Sequence, residues 1–451
     1  MWGPPGTGKT HFLVEAVTRL ARALRATRRP LRVAVAAFTH AAIENVLAGL
    51  ARFLDETEDP PPLEVFKFGE TRTPKGESLA SIDTDEATRL NEGSVAVGAT
   101  VHGLRKLSEA GAAPFDLLII DEASQMKFGE LAMASLALAP GGRLVLAGDD
   151  LQLPPILKGR YPASEDGLPG LHDSVFAWLR ARQDPARPYT WQLAENWRMN
   201  ATLSRFSADT LYSAAYRPAT DEISAQRIAL SKPSRRPTTD SERLVEFVLA
   251  PEHPLVLCVS DGVRAATENR VEATLVAELA SALRARMHDP RRGSPFADSE
   301  KGDAEFWKRG LFIVSPHHAQ IRAIRGELAA RRAWRYQPFV DTVDKMQGQE
   351  ASAVLVSYGV SDPETALQEA GFIYSLPRLN VSVSRARAKC VVFLPRPLLE
   401  PSFDVLTHPD ASKGLAHMHA LLDFARGGEG ATFPLDAAGG EGATLAVWRR
   451  G

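Results

Sequence analysis

The chain has 451 residues, of which 44% are hydrophobic and 24% charged, with a formal net charge of −2. That is enough for two or three globular domains with sizeable cores, and it excludes a fibrous, collagenous or wholly disordered chain. The balanced charge removes the argument for nucleic acid from overall basicity, leaving only that from a local basic groove. No apolar stretch approaches the roughly 20 residues needed to cross a bilayer, and no signal peptide is expected. The two cysteines, Cys258 and Cys390, sit in apolar runs, which argues against a disulfide framework and fits a reducing cytoplasm.

Gly3-Pro4-Pro5-Gly6-Thr7-Gly8-Lys9-Thr10 opens the chain with the spacing G-x-x-x-x-G-K-T. The glycines let backbone N–H groups turn inward around phosphates, Lys9 reaches the β and γ phosphates, and Thr10 offers a hydroxyl to Mg²⁺. A helical pattern over 11–27 follows, so its N-terminus faces the anion. Such a loop normally hangs from a buried strand, and only Met1 and Trp2 precede it, so the expectation is a start lying upstream or a fragment.

Near-continuous apolar runs at 31–38, 94–99, 115–120 and 143–147 predict buried parallel strands, with helices at 41–54 and 125–138. The pattern restarts with strands at 255–259, 311–315, 339–343, 353–358 and 390–394 and helices at 269–288 and 319–334. This predicts an α/β protein of two tandem parallel-sheet phosphate-loop lobes, 1–190 and 191–396, the first without its initial strand. Residues 55–91, Pro-rich and acidic at their start, read as an insertion or small subdomain. The polar segments 158–170 and 289–309 read as loops, the second mobile. Residues 397–451 read as an extension, Gly-rich and disordered after 426, where Gly-Gly-Glu-Gly-Ala-Thr occurs at 427–432 and 439–444.

Ile119-Ile120-Asp121-Glu122-Ala123-Ser124-Gln125 ends an apolar strand in two carboxylates. Beside a phosphate loop, Asp121 can hold Mg²⁺ and Glu122 can polarise the attacking water. Gly148-Asp149-Asp150-Leu151-Gln152-Leu153-Pro154-Pro155 places the Gln152 amide where it can sense a γ-phosphate.

These segments, with three more in order, resemble superfamily 1 helicases, in the branch of the nonsense-mediated-decay helicase and the Okazaki-fragment nuclease-helicase. The three are Leu193–Asn200 (LAENWRMN), Asp341–Glu350 (DTVDKMQGQE) and Leu379–Arg387 (LNVSVSRAR). The resemblance covers about residues 1–395 and suggests an N-terminally truncated, bacterial-type member with RecA-like lobes. It implies that Arg198 and Arg385 reach the γ-phosphate from the second lobe and that Arg387 is a coupling or structural partner. Glu350 would bind the ribose, with Gln347 and Gly348 shaping that contact. It also implies backbone contacts to nucleic acid from Thr39 and Thr100 in the first lobe, and from Ser315, Pro316, Thr342 and Val343 in the second.

The expected function is an ATP- and Mg²⁺-dependent, nucleic-acid-stimulated hydrolase moving 5′-to-3′ along single-stranded DNA or RNA. The expected form is a cytoplasmic monomer without membrane contact, its insertion or tail available to a protein partner. Two other readings use the same phosphate loop. One is a ring-forming AAA+ remodeller, disfavoured by the second full α/β lobe. The other is a non-catalytic nucleotide- or nucleic-acid-binding module, disfavoured by the intact Asp121, Glu122, Gln152, Arg198 and Arg385.

Overall fold

The computed structural model describes residues 1–70, 79–157, 159, 161, 167–346, 348–407, 411–435 and 442–451. The chain divides into two compact units, Met1–Ala194 and Glu195–Gly451. The division falls four residues beyond the expected lobe boundary, inside the segment that carries Arg198.

The first unit is built on strands β1 (Arg32–Ala37), β2 (Leu63–Phe68), β3 (Ala80–Ile82), β4 (Ser94–Gly98), β5 (Phe115–Asp121) and β6 (Leu138–Leu146). They form one sheet in the order β3-β2-β4-β1-β5-β6, and every pairing is parallel. Alternate residues of β1 enter different cores. Ala34 and Ala36 pack on one face of the sheet, and Val33, Val35 and Ala37 pack on the other. A strand covered on both sides must be apolar at every position, which is why β1 reads as a continuous run rather than an alternation. Helices α1 (Lys9–Ala26) and α2 (His40–Asp55) cover one of these faces.

The segment 55–91 is not a separate subdomain. Its β2 and β3 extend the same sheet, with β2 paired to β4 from Leu63↔Ser94 to Lys67↔Gly98. The sequence pattern concealed β2 because Glu64 and Lys67 interrupt its apolar residues. Lys67 is nevertheless 1% exposed, its Nζ donating to the Glu70 carbonyl and facing the Glu44 carboxylate at 3.5 Å. At the other side of the sheet, Trp2 bridges in parallel to Gly148 and to Gln192. Met1 and Trp2 therefore occupy a strand position beyond β6.

The second unit has a seven-stranded sheet. Its strands are β9 (Leu255–Asp261), β10 (Leu311–Val314), β11 (Val340–Asp341), β12 (Ala351–Ser357), β13 (Ala386–Pro395), β14 (Glu429–Pro434) and β15 (Thr444–Arg450). A separate pair, β7 (Glu195–Asn196) and β8 (Arg217–Pro218), precedes them. The order is β11-β10-β12-β13-β9-β15-β14, parallel as far as β9 and antiparallel beyond. Both units are thus parallel-sheet, RecA-like α/β lobes.

Two expectations fail here. The tail after 426 is ordered among the described residues: β15 pairs along the whole of β9, and Leu445 and Val447 are buried. Glycine content masked a short alternation in which every second residue faces the core. The segment 289–309 is also anchored. Phe306 and Trp307 are fully buried, and Asp303 forms a buried ion pair with Arg284 at 2.8 Å. The charged residues around these aromatics made the segment look solvent-exposed.

Candidate functional site

In the first unit the phosphate loop connects Trp2 to α1. Gly6 and Gly8 take φ of 72° and 74°, the left-handed region open to glycine. Gly8 is the N-cap of α1 and supplies no side chain, and the first turn has no acidic residue, so the helix's first N–H groups remain a site for an anion. Thr7 donates its hydroxyl to the Pro4 carbonyl at 2.8 Å, and Lys9 Nζ donates to the Gly3 carbonyl at 2.6 Å, which folds the loop over its own lysine. A Cβ at Gly3 would stand 2.2 Å from Lys9 Cγ, so Gly3 is required for this close approach.

Asp121 ends β5 and is 4% exposed. Burial first, and then the neighbouring Glu122 charge, push its carboxyl up to about 7, against the opposing effects of Lys9, the Glu122 N–H and the Thr10 hydroxyl. A buried carboxylate short of positive charge, hydrogen-bonded to a threonine hydroxyl, is a hard-oxygen donor set that fits Mg²⁺ held by Thr10 and Asp121. When bound, Mg²⁺ would neutralise charge on phosphate oxygens. Glu122 has φ 51° and ψ 40°, left-handed for a residue with a Cβ, which costs on the order of 1 kcal/mol or more. This conformation turns the chain sharply out of β5, and Ala123 N then donates to the Ala147 carbonyl at 2.8 Å. The loop after β6 is thereby tied to the two carboxylates. Within that loop Gln152, 6% exposed, donates Nε2 to Asp149 Oδ2 at 2.7 Å.

In the second unit the candidates converge on Glu350. Arg198 donates Nε to Glu350 Oε2 at 2.6 Å and NH1 to the Ser384 carbonyl at 3.1 Å, and Arg387 donates NH1 to Glu350 Oε1 at 2.8 Å. Burial alone would raise the Glu350 carboxyl, but the two guanidinium groups outweigh it and hold it below the usual range. Glu350, expected as a ribose contact, is therefore also the anion that holds both arginines. Arg385 is 4% exposed, and its carbonyl accepts from Ala351 N at 3.1 Å, which pins its turn to β12. Gly348 has φ 76°, and Gln347 lies outside the described residues.

The sequence reading passed over Asn196 and Asn200, both fully buried. Asn196 Oδ1 accepts from Arg198 N and Met199 N, each at 3.0 Å, and shapes the turn that presents Arg198. Asn200 caps the helix Ala201–Thr210 through Leu203 N and donates Nδ2 to the Ala388 carbonyl at 3.0 Å, joining this turn to β13. Two Asx-type residues flanking Trp-Arg-Met were the available signal.

The nucleic-acid candidates divide between the units. Thr39, after β1, caps α2 by accepting from Ala42 N at 3.2 Å. Thr100, after β4, caps the helix Val101–Glu109 by accepting from Gly103 N at 3.1 Å. A capping hydroxyl keeps its own proton for another acceptor. In the second unit Ser315, Pro316, Thr342 and Val343 line one cleft together with Phe372 and Arg378. Ser315 is 1% exposed, and its hydroxyl has no hydrogen-bond partner among the described residues.

Two families described as AAA domain match the chain in succession, over residues 1–158 and 171–394. Among curated proteins, the mouse DNA replication ATP-dependent helicase/nuclease DNA2 is 28% identical over 415 residues, covering 86% of this chain and 35% of its own length. The human protein of that name is 27% identical over 470 residues, covering 94% of this chain and 39% of its own. The fission yeast DNA polymerase alpha-associated DNA helicase A is 24% identical over 440 residues, covering 86% and 60%. A solved complex of arterivirus nonstructural protein 10, a helicase, with DNA aligns at a TM-score of 0.39 and 14% identity, covering 87% of this chain and 59% of that one, too loosely to add weight. The chain spans about a third of the length of the DNA2 proteins it matches. With tandem matches over both lobes and relatives named as ATP-dependent helicases, the chain belongs to the superfamily 1 helicases, in the branch of the nonsense-mediated-decay helicase and the Okazaki-fragment nuclease-helicase.

Proposed function

We propose that the chain is an ATP-driven translocase on single-stranded nucleic acid, with DNA as the substrate its DNA-helicase relatives favour and 5′-to-3′ as the direction suggested by its branch. The observation that carries the reading is that each unit, taken by itself, carries side chains of complementary phosphate chemistry. The first unit folds Lys9, Thr10, Asp121 and Glu122 around an anion-binding helix N-terminus. The second unit holds Arg198 and Arg387 on one carboxylate beside the buried Arg385.

In this reading Lys9 and the α1 N–H groups bind the phosphates, and Thr10 and Asp121 hold the metal. Glu122 orients and deprotonates the attacking water, and Gln152 reads the γ-phosphate. Arg198 and Arg385 supply positive charge as the terminal phosphoryl group leaves. Nucleic acid is gripped through its backbone by Thr39, Thr100, Ser315 and Thr342, without base readout. Phosphate release tests the proposal, measured with and without oligo(dT) and oligo(U). Turnover should be stimulated by oligo(dT) and abolished in Lys9→Ala and Glu122→Gln. Stimulated turnover surviving in either variant would contradict the assignment, and stimulation by oligo(U) alone would move the substrate to RNA.

A further inference from the structure

The phosphate-loop pattern places no demand on the residue before its first glycine, yet here that residue is built into the site. Trp2 donates its indole N–H to Asp149 Oδ1 at 3.0 Å. The same oxygen accepts from Leu151 N at 3.2 Å, and Asp149 Oδ2 accepts from Gln152 Nε2 at 2.7 Å. Asp149 is 1% exposed, so these are contacts of a buried carboxylate. The Arg180 guanidinium lies over the indole face at 3.7 Å from the ring centroid, and it is ion-paired with Asp150. One tryptophan thus meets two successive carboxylates, Asp149 through its N–H edge and Asp150 through the arginine stacked on its face. The backbone holds the ring in place: Trp2 N donates to the Trp191 carbonyl at 2.7 Å, and Gly3 N donates to the Gly148 carbonyl at 3.0 Å.

We infer that Trp2 is a positioning residue that holds Asp149, and through it the Gln152 amide, in the one orientation in which the amide carbonyl can accept from the water that attacks the γ-phosphate. A carboxylate can only accept, so Gln152 must turn its NH₂ toward Asp149 and its carbonyl end the other way. Without Asp149 held in place, the amide loses the acceptor that Asp149 supplies in that orientation. Because Trp2 directly precedes Gly3, the arrangement ties the phosphate loop to the loop carrying Gln152 through side chains as well as through the sheet. The inference rests on the role proposed for Gln152.

The test measures dissociation constants of the full chain for Mg²⁺-ADP and for the Mg²⁺ complex of the β,γ-imido analogue of ATP. Trp2→Phe keeps a six-membered ring beneath Arg180 and removes the N–H with the five-membered ring that carries it. It should weaken the triphosphate analogue about tenfold, the factor carried by one charge-assisted hydrogen bond, and leave ADP within about twofold. In a Gln152→Ala background the same substitution should change neither constant. Equal weakening of both nucleotides by Trp2→Phe, an unchanged analogue affinity, or a loss that persists without Gln152 would each overturn the inference. Wild-type protein that binds neither nucleotide would overturn the ATPase reading itself, an outcome seen before any variant is made. If Trp2→Phe fails to fold, Asp149→Asn decides. It should show the same selective loss, and an unaltered preference for the triphosphate would overturn the inference.

Discussion

Removing the Glu350 carboxylate separates two roles that the sequence could not tell apart, a ribose contact and a clamp on arginines. Glu350→Ala removes the 2.6 Å contact to Arg198 and the 2.8 Å contact to Arg387 together. The Arg198 side chain is 13% exposed and that of Glu350 37%, and a part-buried charge-assisted hydrogen bond there contributes about 1.5 kcal/mol. The Arg387 side chain is 38% exposed, so solvent screening leaves its contact about 0.5 kcal/mol. The clamp loses about 2 kcal/mol in all, and the Arg198 share of about 1.5 kcal/mol corresponds to roughly tenfold in rate if Arg198 acts on the reacting phosphate. Phosphate release over a range of ATP concentrations, at saturating oligo(dT), should show kcat falling by about that factor with KM within about threefold. Glu350→Gln keeps the shape and one acceptor but no charge, and should fall between. A rise in KM at unchanged kcat would refute the clamp and make Glu350 a nucleotide contact only.

Three further outcomes follow from the packing of the second unit. Asp303→Ala strands Arg284, 4% exposed, and removes the acceptor of Arg335 N, so chemical denaturation should show a loss of about 3–5 kcal/mol; a loss below about 1 kcal/mol would mean that the pair contributes little. Lys389 is held at about 7 by burial, with Nζ donating to the Ala250 and His253 carbonyls. The unfolded chain takes up its proton below about pH 10.4 and the folded chain only below about pH 7, so stability should rise across that window. Lys389→Met should flatten that rise in urea midpoints, and an unchanged slope would refute the assignment. Deleting 427–451 uncovers β9 along its length and exposes what Leu445 and Val447 bury, costing about 4 kcal/mol or more; unchanged melting would place the hairpin outside the cooperative unit.

Legibility in the sequence followed the range of the interaction. The phosphate loop could be read because Gly3–Thr10 is a local geometry, set by glycines at positive φ and a helix start within eight residues. The strands β1, β4, β5 and β9 could be read because burial on both faces makes them continuously apolar. The strand β2 escaped because Lys67 is buried by contacts with Glu70 and Glu44, which its neighbours in sequence do not announce. The hairpin of β14 and β15 escaped because the glycines around it outweighed the alternation that buries Leu445 and Val447.

The residue types of both half-sites, their order along the chain and the α/β alternation were determined by the sequence alone, since each depends on contacts within a few residues. Which groups share a charge was decided only by the tertiary structure. Arg198 and Arg387 stand 189 positions apart, and Glu350 lies between them in the chain, yet all three meet at one carboxylate. Trp2 and Asp149, 147 positions apart, meet through an indole N–H. Such pairings follow from strand order and loop closure, which bring distant strand ends to one edge of a sheet, and no spacing along a chain encodes them.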